Sequence, residues 1–407
     1  MATIAMRGSE TNPFLPGSDL VPEVWAGRTA ELADFDRTVV VRRSAGLYER
    51  GRTILGEPGI GKSVLARRIM RDAGHAGHLV VPSIRVPRGS DPLALLADAV
   101  IAAVEGRSLG EQVASRATGL LDRVRDVMLG VTVTLGDAPA VQPHVTLRDA
   151  LITLASIAAD DEKVLVLHVD EVQNVRDPDT LSQLLIAIGD ALGHEVDRTD
   201  AAGNVHTRVL PLVVYLSGLR DFTERAMSAA GATFARRFKP LILSYLTETE
   251  IRTALAPFTA DGWPVLTEGP GRITMTADAV TAIVNRCLGD PFLFQLLGAA
   301  AWTEGEGATI TADEVRRGWD SVRPEATGHV ERVWSRVPAG EQALFDSLVG
   351  LSPEQRHLSD AAEALGRSSA ELAQTARRLE DRGLIRRGRP YVVLAAPLEA
   401  HLTGTWD

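Results

Sequence analysis

Residues 56–63 read Gly56-Glu57-Pro58-Gly59-Ile60-Gly61-Lys62-Ser63, with glycines, a lysine and a hydroxyl at the spacing of a phosphate-binding loop. Each residue type has a task there. Glycines let backbone N–H groups turn inward around phosphate oxygens, and the positive end of a following helix adds to them. Lys62 is placed to contact the β and γ phosphates, and the Ser63 hydroxyl to bind magnesium. Lysine is scarce here, since only Lys62, Lys163 and Lys239 occur among 43 basic residues, so its presence at this position is informative. A second constellation is Val164-Leu165-Val166-Leu167-His168-Val169-Asp170-Glu171, an apolar run ending in two adjacent carboxylates. At the carboxyl end of a buried strand both face the crevice where α/β sheets bind ligands, so Asp170 can hold a magnesium shell and Glu171 can polarise an attacking water. Asp170 alone would serve a metal; Glu171 argues for hydrolysis. Taken singly, the two segments also read as a glycine-rich turn and a solvated acidic turn. Their pairing selects the nucleotide chemistry.

Such residues need a sheet to bring them together, and the chain has the pattern of one. Apolar runs at 53–55, 79–86, 164–169 and 210–217 alternate with helical patterns. These begin at Lys62, at the amphipathic stretch carrying Leu93, Leu96, Val100, Ile101 and Val104, near 180–192, and from Asp221. Strands separated by helices imply a parallel sheet with helices on both faces, which explains why the strands are apolar almost throughout. The fold class is α/β. Residues 1–25, with Pro13, Pro16, Gly17 and Pro22, read as an irregular leader. The sheet domain spans 26–245, and within it the polar stretch 194–207 reads as a surface loop. From about residue 246 the strand signal stops, and Thr247-x-x-Glu250, Thr276 and Thr311-x-x-Glu314 mark helix starts, giving an all-helical unit at 246–335. Residues 336–407 then show helical stretches at 340–349 and 359–366, a helix opened by Ser368-x-x-Glu371, and two strand-like pieces around a glycine turn at 383–394. Three helices followed by a hairpin is the order of a winged helix.

With these residues in place, the chain resembles, over nearly its whole length, the AAA+ class of P-loop ATPases. The nearest branch is that of the origin-recognition ATPases and the signal-transducing STAND ATPases. The resemblance implies ATP and Mg2+ as cofactors, with residues 56–63 as the Walker A loop, Asp170 and Glu171 as the Walker B pair, and 246–335 as a helical lid. Trp25-Ala26-Gly27-Arg28 with Glu31 resembles that branch's segment beside the adenine, which implies nucleotide contacts from Gly27 and Arg28. Leu212-Val213-Val214-Tyr215-Leu216-Ser217 resembles the strand that ends in the first sensor. Ser217 stands where an asparagine or arginine is more usual. Phe234-Ala235-Arg236-Arg237-Phe238 resembles the segment carrying the arginine finger, so Arg236 or Arg237 would act on a neighbouring subunit's nucleotide in a homo-oligomer; a surface salt bridge is the other reading. Gly289-Asp290-Pro291 resembles the lid element of the origin-recognition and STAND branch, with Pro291 near the nucleotide and no lid arginine. That implies a slow switch rather than a remodelling motor.

Arg377, Arg378, Arg382, Arg386, Arg387 and Arg389 lie on the third helix and turn of the carboxyl-terminal unit and could contact duplex DNA. Residues 337–407 nevertheless hold eight arginines against ten acidic residues, and the alternative is a winged helix that packs on its own ATPase or on a protein partner. Composition narrows the rest. With 407 residues, 45% hydrophobic and 24% charged, the chain can bury full-sized cores, and disordered, collagen-like and disulfide-scaffold classes are excluded. A formal charge of −10 repels polyanions globally, so any nucleic-acid contact must come from a local patch. Cys287 is the single cysteine, the amino terminus lacks the pattern of a secretion signal, and no apolar run is long enough to span a bilayer. The expectation is a cytoplasmic protein with no membrane contact. His75 and His78 have no matching metal ligands, Trp302, Trp319 and Trp334 read as packing, and Cys287 reads as a small buried apolar group. Two functions remain in view. One is an ATP-dependent switch that engages DNA, as in replication, transposition or defence; the other is a STAND-like regulatory ATPase whose carboxyl-terminal unit binds protein.

Overall fold

A computed structural model describes residues 7–105, 142–199, 202–266 and 270–406. The first six residues of the expected leader and residues 200–201 of the expected loop lie outside this set. The chain forms two compact units, one of Arg28–Leu55 with Lys62–Ile242, the other of Met1–Gly27, Gly56–Gly61 and Leu243–Asp407.

The first unit is built on a parallel sheet of β1 (Gly51–Leu55), β2 (Leu79–Val80), β3 (Ile84–Arg85), β4 (Leu165–Asp170), β7 (Leu212–Gly218) and β8 (Phe238–Ile242). Strand order is β2-β4-β7-β1-β8, with β3 also on β4. Strands β1, β4 and β7 are buried along their whole length, as strands covered on both faces must be. Around the sheet lie α1 (Thr29–Asp34), α2 (Val40–Ser44), α3 (Lys62–His75), α4 (Pro92–Glu105), α5 (Pro143–Asp160), α6 (Pro178–Leu192) and α7 (Phe222–Arg237). The core joins Leu96, Leu151, Leu167, Leu184 and Val214. Two expectations need correction. Residues 79–86 form two short strands rather than one, both paired with β4. Residues 194–207 contain strands: β5 (Glu195–Thr199) and β6 (Val205–Val209) pair as an antiparallel hairpin. Most of its residues are exposed, so no buried face gives the hairpin the apolar alternation by which strands are read.

The second unit contains α8 (Glu248–Ala260), α9 (Ala277–Cys287), α10 (Pro291–Thr303) and α11 (Ala312–Trp334), then α12 (Ala339–Val349), α13 (Leu358–Ala364), α14 (Ser369–Asp381) and α15 (Ala396–Thr403). It is not all-helical. Strands β9 (Trp263–Leu266), β10 (Pro270–Met275) and β11 (Thr309–Ile310) make a small sheet, and β12 (Ile385–Arg386) pairs with β13 (Val392–Val393). Gly262, Pro264 and Pro270 punctuate the first two strands, and such residues read as turns. The helix starts hold: Thr247 with Glu250, Thr311 with Glu314 and Ser368 with Glu371 cap reciprocally, and Thr276 accepts from the Ala279 N–H.

One continuous core runs from Phe14 and Val24 of the leader through Trp302 and Trp319 to Leu384, Leu398 and Trp406. The leader is irregular apart from a short turn at Ser9–Thr11. Phe14 stacks on Phe258 at 6.0 Å, and Trp406 lies 5.2 Å from Trp319 while its indole N–H donates to the Arg286 carbonyl at 3.0 Å. Cys287 is fully buried, and burial pushes its thiol up to about 12, so it is an inert packing group. Among the described residues no helix is long and apolar enough to cross a membrane.

Arg7 reaches the capping carboxylate of α11, with 2.5 Å between Arg7 Nη2 and Glu314 Oε1. Burial pushes the Glu314 carboxyl up, but the Thr311 backbone, Arg7 and the Thr311 hydroxyl outweigh it and hold the group below its ordinary value of 4.5. A carboxyl depressed on folding contributes stability that is present above its unfolded value and lost as pH falls through its folded one. Glu314→Ala is therefore expected to lower stability by about 1–2 kcal/mol at pH 7, measured by thermal unfolding. The gap to the native protein should shrink as the pH drops below about 4.5.

Candidate active site

The phosphate-binding loop leaves β1 after Leu55 and enters α3 at Lys62. Gly59 and Gly61 sit at φ +83° and +91°, a backbone region that only glycine occupies without cost, and this conformation turns successive N–H groups to one side. Gly56, Glu57, Pro58 and Ile60 complete the loop; Ile60 is buried, and its N–H donates to the Glu57 carbonyl at 3.3 Å. Lys62 is buried at the start of α3. The next residue makes the decisive contact: the Ser63 hydroxyl is hydrogen-bonded to the Asp170 carboxylate. Sheet order explains how. Strand β7 lies between β1 and β4, with Thr53 beside Leu216 and Leu216 beside Val169, so the carboxyl ends of β1 and β4 are level at one edge of the sheet. A hydroxyl beside a carboxylate is the hard-oxygen pair that magnesium takes when a nucleotide and waters supply its other ligands.

Asp170 is buried and surrounded by donors. The Ser217 hydroxyl donates to its Oδ1, as does the Glu171 backbone N–H at 2.9 Å. Ser217 Oγ also lies 2.8 Å from Nε2 of the fully buried His168, whose Nδ1 is 2.5 Å from Ser83 Oγ. Burial pushes the Asp170 carboxyl up; neighbouring His168 and the bonds from Ser217, Ser63 and Glu171 N–H outweigh it and hold the group below its ordinary value. Burial also pulls His168 down, to about 4. The neighbouring Asp170 charge opposes that shift. Among the described residues no group of three or more His, Cys, Asp or Glu is placed to hold a metal by itself.

Glu171 turns through a left-handed backbone, φ 59°, which takes its side chain out of strand alternation. Its Oε2 accepts from the Gln173 side-chain amide, whose oxygen accepts from the Leu219 N–H at 3.2 Å; Arg85 Nη2 lies 3.9 Å from Oε1. A Cβ on Gly218 would come within 2.9 Å of the Gln173 oxygen, so glycine there leaves room for this link. His168, Ser83, Gln173 and Arg85 were not picked out by sequence reasoning. The one available signal was His168, a single polar residue inside an otherwise apolar buried strand.

Residues 24–192 match the family described as AAA ATPase domain. That stretch is similar to an AAA ATPase domain. Among solved structures, the Aeropyrum pernix ORC2 protein in ADPNP–ADP complexes is 13% identical over 96% of each chain, with a TM-score of 0.51, a likeness of fold. The Aeropyrum pernix ORC1 protein in complex with DNA is 16% identical over 94% of each chain, at a TM-score of 0.42. The Thermotoga maritima RuvB Holliday junction branch migration motor is 13% identical over 94% of this chain and 96% of that one, at 0.41. No match to a curated protein was found.

At the amino-terminal edge of the matched stretch, Gly27 and Arg28 both have positive φ, 66° and 62°, and Arg28 is buried. The two arginines ending α7 differ: Arg237 Nη1 pairs with Asp190 at 2.6 Å, whereas Arg236 is exposed and makes no ion pair among the described residues. Pro291 opens α10 behind Asp290, whose side chain accepts from the Phe292 and Leu293 N–H groups at 2.8 and 3.1 Å. The other Asp290 oxygen lies 3.1 Å from Nε2 of buried His329, whose ring stacks on Phe292. That ring backs onto the phosphate-binding loop, where a Cβ on Gly59 would collide with it.

The six arginines of the carboxyl-terminal unit are not equivalent. Arg382 is half-buried and pairs with Glu341 at 2.5 Å, and Arg387 pairs with Glu380 at 2.5 Å. Arg377, Arg378, Arg386 and Arg389 are exposed and make no ion pair among the described residues.

Gly59→Ala is expected to destabilise the protein by the left-handed penalty of about 1–2 kcal/mol together with the clash against His329. In a His329→Ala background the further loss of melting temperature caused by Gly59→Ala should be smaller than in the native protein, because the ring is gone and only the backbone penalty is left.

Proposed function

We propose that this protein is an ATP-binding, slowly ATP-hydrolysing molecular switch. The observation that carries the reading is the Ser63–Asp170 hydrogen bond inside a stretch similar to an AAA ATPase domain, because it joins the hydroxyl and carboxylate that such chemistry requires. Residues 56–63 bind the phosphates through backbone N–H groups, with Lys62 on the β and γ phosphates. Ser63 and Asp170 would hold Mg2+, which would offset the negative charge of the phosphates. Glu171 takes a proton from the attacking water, and Gln173 holds its carboxylate from the far side. Gly27 and Arg28 serve the adenine end and Pro291 the lid, in a division into an ATPase core at 26–245, a lid at 246–335 and a winged helix at 336–407. Arg236 rather than Arg237 is the residue offered to a neighbouring copy in a homo-oligomer, because Arg237 is engaged with Asp190.

Lys62→Ala should lose detectable ATP binding in equilibrium titration. Glu171→Gln should bind ATP as the native protein does while turnover falls about a hundredfold or more. Retained affinity in the first, or native turnover in the second, overturns the assignment of that residue.

Duplex DNA is the partner proposed for the winged helix, through Arg377, Arg378, Arg386 and Arg389. A second reading, a STAND-like regulatory ATPase whose winged helix engages protein, draws on two observations. The carboxyl-terminal helices share one core with α9 to α11, and Arg382 and Arg387 are tied to glutamates. Duplex binding with and without ATP separates them. On the first reading, Arg386→Ala with Arg389→Ala weakens binding and flattens its log–log salt dependence by about one unit per arginine. Absence of binding at low salt, even with ATP, selects the second.

A further inference from the structure

We propose that His168 is a positioning residue that turns Ser217 into a fixed hydrogen-bond donor to Asp170, and so sets the divalent-metal affinity of the site. The inference rests on the reading of Asp170 as a metal ligand, and the atoms dictate its direction. Ser217 Oγ carries one hydrogen, and it goes to Asp170 Oδ1. Toward His168, 2.8 Å away, the same oxygen can only accept, so the imidazole hydrogen sits on Nε2. On the other side of the ring, Nδ1 lies 2.5 Å from the Ser83 hydroxyl oxygen, which fixes the plane of the imidazole. From His168 through Ser217 to Asp170 the hydrogens point the same way, and Ser217 cannot turn its proton to the ring without giving up the bond to Asp170.

That order bears on the metal. Ser63 is the other candidate ligand, so the donors left to orient the Asp170 carboxylate are Ser217 and the Glu171 N–H. A serine hydroxyl alone rotates among several acceptors; an imidazole N–H occupying its lone pair leaves the proton aimed at Asp170. The sequence resemblance gives Ser217 a nucleotide-sensing place, but here its only proton is committed to the carboxylate. Hydrogen-bonding partners behind a metal ligand commonly govern affinity in this way.

Glutamine places its amide nitrogen near the position of imidazole Nε2, and asparagine near that of Nδ1, so the two variants separate the hydrogen bond to Ser217 from mere occupancy of the space. The probe is Mn2+, titrated into the ADP-bound full chain and followed by the paramagnetic resonance of the free ion. His168→Asn is expected to weaken Mn2+ binding about tenfold, with metal-free ADP affinity unchanged, while His168→Gln stays within about twofold of native. Ser217→Ala should share the loss, and it decides the matter if His168→Asn does not fold. Native Mn2+ affinity in folded His168→Asn or Ser217→Ala, or an equal loss in the Gln and Asn variants, overturns the proposal. Asp170→Asn tells the two levels apart: if it too binds Mn2+ natively, the metal-site reading falls and this inference with it. If Asp170→Asn is weakened while His168→Asn is native, the inference alone falls.

Discussion

The hydrogen bond between Ser63 and Asp170 is the constraint on which the candidate active site depends. It joins the first residues of a helix to the last residue of a strand lying beyond an intervening strand, so it forms only if β1, β7 and β4 align with their carboxyl ends level. The register does this, pairing Thr53 with Leu216 and Leu216 with Val169. A slip of one residue between β4 and β7 would turn Asp170 to the other face of the sheet, and one between β1 and β7 would displace the strand that leads to Ser63. The all-buried strands supply the energy that resists such a slip, and the site inherits its geometry from them.

Around that contact the protein spends polar groups where burial makes them expensive. His168, Ser217 and Asp170 are nearly inaccessible to water, and an unpaired polar group there would cost about 1–3 kcal/mol. Each has partners, and a fully satisfied buried network is stiff because no member can leave without orphaning another. Glu171 differs. It is half-exposed, on a left-handed turn, and held through one side-chain amide. The pair that looks uniform in sequence is thus one buried, fixed carboxylate and one half-exposed carboxylate held by Gln173 on one oxygen and a distant Arg85 on the other.

Legibility from sequence followed how locally each feature is encoded. The parallel sheet, its alternation of strands with helices, and the capped helix starts at Thr247, Thr311 and Ser368 were readable because apolar periodicity and capping residues are local signals. So was the proximity of Ser63 and Asp170, since spacing within each motif and the habit of parallel sheets fix it. The hairpin at β5 and β6 was missed because it buries neither face, and the sheet of β9 to β11 because glycine and prolines punctuate short strands. The links from His168 to Ser217 and from Gln173 to Leu219 join residues 49 and 46 positions apart in the chain. Nothing in a linear pattern marks them, although a histidine in an otherwise apolar strand marks that something must pair with it.

Helix α11 ties together distant parts of the second unit. Its His329 backs Gly59, its Trp319 receives Trp406, and Trp334 at its end lies 5.6 Å from Phe345 of the next helix. A rod of 23 residues extends about 35 Å, so a single helix carries all three contacts. Pro324 has no N–H to donate, so the backbone ladder lacks one rung between the Trp319 and His329 contacts.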